Sequence, residues 1–207
     1  QSELAALMPT NRRYAFDVRK IIRHLFDMES FIETRPDMGR AIITGLARVA
    51  GRAVAVLASD CRHLGGAIDG ESATKAAALY QLAERWRLPV VSLIDTPGFM
   101  VGPESEAAGA PSLMSDLFIA GATLTQPIVA IFLRRAYGLG AMAMTGGSFE
   151  VPRYAVSWPQ GEFGAMGLEG AVHLGFRQEL AEAPDEGARQ ALYVNLLDEM
   201  YDKGRAV

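Results

Sequence analysis

The sequence predicts an α/β fold in which parallel strands are joined by helical crossovers. Three observations support this prediction. Short apolar runs typical of buried strands recur along the chain, segments of helical periodicity alternate with them, and glycine-rich turns follow several of the runs. No linker, low-complexity tract or repeat of fixed period interrupts this pattern over 207 residues. We therefore expect a single domain covering 1–207.

Periodicity and capping residues define the predicted helices. Asp17 precedes an apolar stripe of helical spacing and is a typical N-cap residue. Pro89 ends a second helix that begins near Ser72. Later helices follow a long loop, a glycine turn and the last apolar run. In chain order the predicted helices are 17–26, 72–86, 107–124, 138–145, 168–176 and 185–203.

Apolar and β-branched runs define the predicted strands. The runs 41–49 and 52–60 are separated only by Ala50-Gly51, which predicts a hairpin. The continuous run 90–95 is typical of a strand buried on both faces. In chain order the predicted strands are 30–33, 41–49, 52–60, 90–95, 128–133 and 155–158.

Composition excludes several classes of protein. The net charge of −4 gives no indication of nucleic-acid binding. The single cysteine, Cys61, cannot form an internal disulfide and is interpreted as a small packing residue. No apolar run reaches the ~18 residues of a membrane span. The first residues lack the features of a signal peptide, so we expect a cytoplasmic location.

Two nucleotide-binding patterns are incomplete. Gly65 and Gly70 have P-loop spacing, and the sequence DTPG (95–98) is similar to a GTPase loop. However, Glu71 stands where a P-loop needs lysine, and its charge would repel phosphates. The Gly-x-Gly of 137–144 follows a late strand, whereas a dinucleotide fingerprint belongs on the first strand.

The glycine turn at 137–144 allows a more general interpretation. A helix that begins after such a turn leaves free N–H groups, which can hold an anion, or the turn is simply tight and binds nothing. No nucleophile elbow and no metal-type cluster of histidine and cysteine occurs in the sequence, so serine hydrolysis and metal catalysis are unsupported. The carboxylates of the glycine-rich loops are interpreted as solvated charges. These are Asp69, Glu71, Glu104, Glu106 and Glu162.

Taken together and in order, the segments resemble a known family. They include GGAIDGESATKAA (65–77), LPVVSLIDTPGFMVGPESE (88–106), RRAYGLGAMAM (134–144) and SWPQGEFGAMGLEGAV (157–172). The chain resembles the carboxyltransferase subunit of biotin-dependent acyl-CoA carboxylases of the propionyl-CoA carboxylase beta type. Roughly 10–175 carry the likeness, which is to the C-terminal, carboxybiotin-binding half of that subunit. The resemblance implies a crotonase-like fold and carboxyl transfer between carboxybiotin and an acyl-CoA.

The resemblance also implies site residues and partners. Main-chain N–H groups of Gly140 and Ala141 would stabilise the charge that develops on the biotin ureido oxygen. Many relatives have Tyr-Gly-Gly-Ala, without a residue in the place of Leu139. The residues implied in binding the cofactor are Gly98, Phe99, Tyr137, Gly138 and Leu139. The implied partners are a biotin carboxyl carrier protein, a biotin carboxylase subunit, an acyl-CoA-binding N-terminal half absent from this chain, and further copies in a homo-oligomer.

Two alternatives remain open at this point. An acyl-CoA decarboxylase alpha subunit would run the same transfer in reverse, because one site catalyses both directions. A non-catalytic oligomerisation scaffold of the same fold would keep the architecture without the chemistry. Without the N-terminal half, we expect the chain to be inactive as an enzyme.

Overall fold

The sheet begins with an antiparallel hairpin. In a computed structural model that describes residues 7–12 and 14–204, strands β2 (Ile42–Val49) and β3 (Arg52–Ser59) pair in full register. The hairpin is confirmed at Ala50-Gly51, where both residues have positive φ, as a tight turn between twisted strands requires. Strand β1 (Ile32–Thr34) pairs with β2, so the strand predicted over 30–33 begins two residues later.

The rest of the sheet is parallel. Strands β4 (Val90–Thr96), β5 (Ile128–Tyr137) and β6 (Tyr154–Ser157) follow β3 in spatial order. Strand β7 (Glu162–Gly164) pairs with the end of β5 and lies in a segment predicted to be loop. The prediction that β5 ends at residue 133 was wrong, because the strand continues through two arginines whose charges are compensated by a buried aspartate.

The helices confirm the predicted alternation. Their bounds are α1 (Val18–Leu25), α2 (Gly70–Trp86), α3 (Pro103–Ala107), α4 (Ala110–Ala122), α5 (Gly138–Met144), α6 (Leu168–Gly175), α7 (Arg177–Ala181) and α8 (Glu186–Gly204). The Asp17 side chain caps α1 by accepting from the Arg19 N–H. The helix predicted over 107–124 is present as α4 but begins three residues later, after Gly109 with φ +74°, and the short α3 that precedes it was not predicted. The added α7 lies between the two predicted C-terminal helices.

Helices cover both faces of the sheet. On one face α2 packs against α4 and over β2 and β3, α5 lies against β4 and β5, and the shared core includes Tyr80, Leu117 and Met144. On the other face α1 buries Ile21 and Ile22. Helices α6 to α8 form a smaller cluster beside Tyr137, the last residue of β5. The carboxyl ends of β4 and β5 therefore lie between the two-sided core and the C-terminal helices.

Candidate active site between two strand ends

The turns that follow β4 and β5 are in direct contact. Because these strands are parallel neighbours, their carboxyl ends meet at one edge of the sheet. A Cβ built on Gly140 would lie 2.7 Å from the carbonyl carbon of Gly98 and 3.1 Å from the amide nitrogen of Phe99. Only glycine allows such an approach of two backbones. The structure thus brings together three residues that the sequence predicted as site residues.

The turn after β4 is held by main-chain hydrogen bonds and by the Thr96 hydroxyl. Gly98, with φ +117°, donates its N–H to the Thr96 hydroxyl, which itself donates to the Gly66 carbonyl at 2.7 Å. The Gly98 carbonyl accepts from Ile68 N–H at 3.0 Å, and Met100 N–H donates to the Ile68 carbonyl at 2.8 Å. These bonds tie the Gly98-Phe99 turn to the glycine loop before α2, so its position is fixed.

The turn after β5 opens directly into helix α5. Tyr137 is the N-cap and Gly138 takes φ +56°, which strongly favours glycine. The first intrahelical bond of such a helix runs from the Ala141 N–H to the carbonyl of its N-cap. The N–H groups of Leu139 and Gly140 belong to the first turn, which has no intrahelical acceptors. Ala141 is fully buried, whereas the Leu139 side chain is 61% exposed.

A buried ion cluster supports both strand ends. Asp95, fully buried at the end of β4, accepts from Arg134 Nη2 at 2.7 Å and from Arg135 Nε at 2.9 Å. Arg135 also donates to the Gly65 carbonyl at 2.8 Å, which joins the glycine loop to the cluster. Burial alone would raise the pKa of Asp95, but the hydrogen bonds and charges of Arg135 and Arg134 lower it. Asp95 therefore stays ionised and paired.

A second carboxylate, Glu162, lies behind the site and is paired more loosely, with Arg12 Nη1 at 3.7 Å. Glu162 of β7 is only 2% exposed and faces Tyr137, and burial raises the pKa of Glu162. It lines a polar cavity of about 220 Å³ together with Arg12, Cys61 and Glu169. The interpretation of Glu162 as a solvated loop charge was wrong. The chain returns to the sheet at β7, which places this side chain beneath the end of β5.

The other predicted loop carboxylates differ from Glu162. Glu104 and Glu106 are exposed, as expected. Asp69 caps α2 by accepting from Ser72 N–H, and Glu71 accepts from Gly39 N–H. Cys61 is buried and burial raises the pKa of its thiol, which supports its interpretation as a packing residue.

Sequence reasoning missed the ion cluster and Glu162. The only signal was that Asp95 ends a buried strand and that Arg134 and Arg135 directly follow an apolar run. Over residues 7–12 and 14–204, no group of three or more histidine, cysteine or acidic residues could hold a metal ion. None of the helices in these same ranges is both long enough and apolar enough to cross a bilayer.

Comparison with known proteins identifies the relatives of this chain. Residues 1–204 match the protein family described as carboxyl transferase domain. The chain is 34% identical over 199 residues to the biotin-dependent acetyl-/propionyl-coenzyme A carboxylase beta6 subunit of Mycobacterium tuberculosis, covering 96% of the chain and 42% of that protein. It is 35% identical over 202 residues to the propionyl-CoA carboxylase beta chain of Rhodococcus erythropolis, with 96% and 42% covered.

Solved structures give the same result. A single-chain, multi-domain long-chain acyl-CoA carboxylase superposes with a TM-score of 0.90 at 47% identity, covering 98% of this chain and 20% of that one. The transcarboxylase 12S structure with methylmalonyl-coenzyme A bound gives 0.88 at 28% identity, covering 100% and 39%. These matches confirm the predicted α/β, crotonase-like fold. The chain spans about two fifths of the length of the curated relatives it matches.

Proposed function

Because this chain belongs to the carboxyl transferase family of biotin-dependent acyl-CoA carboxylases, we propose that it forms the carboxybiotin side of a carboxyl transfer site. The observation that supports this most is the contact between the Gly98-Phe99 turn and the first turn of α5. That contact gathers main-chain amides at one point, and the residues there match the family motif. The acyl-CoA side of the site would be formed by an N-terminal half outside this chain.

The residues at this point suit a biotin ureido group. A ureido oxygen accepts hydrogen bonds, and the first turn of α5 offers N–H groups that have no acceptor within the helix. When bound, carboxybiotin supplies the carboxyl group, and negative charge develops on its ureido oxygen as the N–C bond breaks. Fixed N–H donors in a site that excludes water stabilise such charge without having to reorganise. The Phe99 amide lies beside the same turn and adds to the positive end of the site.

The helix bounds favour a particular pair of donors. The motif comparison placed the donors at Gly140 and Ala141. Since Tyr137 is the N-cap, helix geometry directs the Ala141 N–H to the Tyr137 carbonyl and leaves the N–H groups of Gly138, Leu139 and Gly140 without intrahelical acceptors; of these, Leu139 and Gly140 lie nearest the position of the motif pair. The two assignments differ by one position, and the sequence Tyr-Gly-Leu-Gly-Ala has one residue more than the Tyr-Gly-Gly-Ala of many relatives. We therefore assign the donor role to Leu139 and Gly140, with Gly140 common to both assignments.

The proposed partners follow from the chemistry. Carboxybiotin reaches the site on a biotin carboxyl carrier protein that a biotin carboxylase has loaded, and a homo-oligomer would complete the site with an acyl-CoA-binding half. The proposal covers both directions of transfer, because the same N–H groups stabilise the ureido oxygen in either direction. A non-catalytic scaffold would need neither the paired glycine turns nor the free N–H groups, so these features favour an enzyme.

The test removes one N–H donor, and a second variant controls for the loss of the side chain at the same position. In the complete protein, Leu139→Pro deletes the Leu139 N–H within the first helical turn, where proline is tolerated. Loss of one such donor typically lowers the rate by about 10²–10³-fold. Leu139→Ala is the matched control, since it removes the exposed side chain and keeps the N–H. Carboxyl transfer is measured after circular dichroism shows that both variants fold.

Two outcomes would contradict this donor assignment. Equal transfer rates for Leu139→Pro and Leu139→Ala would exclude the Leu139 N–H as a donor. A larger loss in Ala141→Pro than in Leu139→Pro, with the helix intact, would return the role to Ala141. Absence of transfer by the complete unmodified protein would refute the function itself. The experiment uses the complete protein because the chain alone is expected to carboxylate no acyl-CoA.

A further inference from the structure

Strand β7 secures the last residues before helix α5. Its three residues pair with β5 in the register Arg135↔Glu162, Ala136↔Phe163 and Tyr137↔Gly164. The segment that follows β7 also touches the helix start, because a Cβ on Gly138 would lie 2.7 Å from the Ala165 carbonyl oxygen. The direction in which α5 leaves the sheet therefore depends on β7 and on what β7 presents to Tyr137.

The side chain that β7 presents there is a poorly compensated buried carboxylate. Glu162 is 2% exposed, and its Oε2 has no hydrogen-bond partner among the residues that the structure describes. Arg12 Nη1 lies 3.7 Å from Oε2, which is too far for a hydrogen bond. A carboxylate placed in this way costs folding free energy. Stabilisation of the fold therefore does not explain why a glutamate occupies position 162.

Among the residues that line the cavity with Glu162, Tyr137 is the one from which helix α5 starts. Tyr137 is 3% exposed, and the parallel register of β7 with β5 puts its side chain on the same face of the sheet as Glu162, where both line the cavity of about 220 Å³. Tyr137 is also the N-cap of α5, and no side chain caps that helix. From this position the phenol can donate to the carboxylate, and such a bond is stronger to an ionised carboxylate than to a neutral acceptor. Through this bond Glu162 would fix the ring of Tyr137, and the backbone of Tyr137 sets the direction of the first turn of α5.

We propose that Glu162 is a positioning residue for the proposed carboxyl transfer, acting through Tyr137 on the first turn of α5. The inference rests on the proposed function and deepens it. Glu162 itself touches no reacting atom. Its ionised side chain keeps the Tyr137 ring, and with it the N–H groups of Leu139 and Gly140, in the orientation that the charge on the ureido oxygen requires. Errors of about 1 Å in such a site lower rates by about 10²-fold.

The same arrangement makes the transfer sensitive to pH. Burial raises the pKa of Glu162, and the contact with Tyr137 and the charge of Arg12 only partly offset this effect. As the pH falls through the raised pKa, the carboxylate becomes protonated and its hold on the phenol weakens. The acid limb of the rate profile should therefore lie above about 4.3, the usual value for glutamate. The ionisable groups that line the cavity with Glu162 are Arg12, Cys61, Arg134, Arg135, Tyr137 and Glu169.

The test is a double-mutant cycle in the complete protein. Glu162→Gln keeps the shape and an acceptor oxygen but removes the charge, and Tyr137→Phe removes the hydroxyl. Each should lower kcat for carboxyl transfer by about 10–100-fold with KM for the acyl-CoA unchanged. The double variant should lose no more than the single ones, because both break the same link. In Glu162→Gln the acid limb assigned to Glu162 should disappear.

Glu169→Gln provides the matched control. Glu169 lines the same cavity, lies 3.9 Å from Arg12 and undergoes the same change of charge, but it is 53% exposed and does not hold the Tyr137 hydroxyl. This variant should keep the unmodified rate and pH profile. Thermal unfolding of all variants separates positioning from damage to the fold, since Glu162→Gln removes a buried charge and should be at least as stable near neutral pH.

The outcomes are distinguishable. If the unmodified protein transfers carboxyl groups and Glu162→Gln keeps its rate and acid limb, the positioning role is refuted and the proposed function stands. Additive losses in the double variant would also refute it, because Glu162 would then act independently of Tyr137. If the unmodified protein shows no transfer, the proposed function fails first. Tyr137→Phe tests the same link should Glu162→Gln not fold.

Discussion

Replacing Gly140 with alanine tests whether the contact between the two turns is as tight as the structure indicates. The new Cβ would lie 2.7 Å from the carbonyl carbon and 2.8 Å from the Cα of Gly98. Carbon atoms pack best at separations of about 3.5 Å or more, so the two turns would have to separate by roughly 0.8 Å. Both atoms that collide belong to backbone, so no flexible side chain can relieve the contact.

Whether Gly140→Ala raises or lowers the free energy of unfolding shows which of two effects is larger, helix propensity or overpacking. Helix propensity alone predicts that glycine to alanine stabilises a helix by about 0.5–1 kcal/mol. Overpacking typically costs about 1–3 kcal/mol. We expect the collision at Gly98 to dominate, so that Gly140→Ala unfolds with a net loss of roughly 1–2 kcal/mol. A shift near 0.8 Å in the donors should also lower carboxyl transfer by about 10²-fold.

Urea unfolding and carboxyl transfer by the complete protein measure the two effects. Gly170→Ala is the control for propensity, because its nearest neighbour is the flexible Met166 Sδ at 3.8 Å, and it should gain stability without loss of transfer. Gly121→Ala is the control for overpacking, since its Cβ would lie 2.9 Å from Gly146 backbone atoms outside the site. It should lose stability with little loss of transfer. A Gly140→Ala protein that is as stable and as active as the unmodified one would refute the argument.

Two further variants test parts of the fold that support the site. Asp95→Asn leaves the buried Arg134 and the half-buried Arg135 without their counter-charge and should cost about 3 kcal/mol in urea unfolding. In the folded protein the pKa of Asp95 is lowered from its usual value of about 3.9. The stability that the ionised carboxylate contributes should therefore be complete above about pH 3.9 and should fall as the pH drops through the lowered pKa. Asp95→Asn should not show this fall. Asp17→Ala removes the cap that accepts from Arg19 N–H, and thermal unfolding should show a loss of about 0.5–2 kcal/mol.

The sequence predicted those elements whose local pattern agrees with their tertiary role. The hairpin at Ala50-Gly51 follows from two apolar runs and a two-residue turn, and the N-cap at Asp17 from one side chain and an apolar stripe. The late start of the helix predicted over 107–124 has a local cause, because Gly109 takes a left-handed φ that periodicity does not reveal. Strand β7 is too short for an alternating pattern, and its pairing with β5 is a tertiary contact.

In the candidate site, too, some features could be predicted from the sequence and others could not. A site built from main chain leaves a trace in the sequence, because close approach and positive φ both require glycine, and Gly98, Gly138 and Gly140 stand at such points. The charged groups that hold this main chain leave no comparable trace. Asp95 meets Arg135 across forty positions of sequence, and Glu162 is buried only because β7 returns to the end of β5. Whether such a carboxylate is solvated, paired or left with a poorly compensated charge is decided by contacts that no local pattern encodes. The glycines can therefore locate the proposed site, while the charged residues that hold its main chain must be found from the fold.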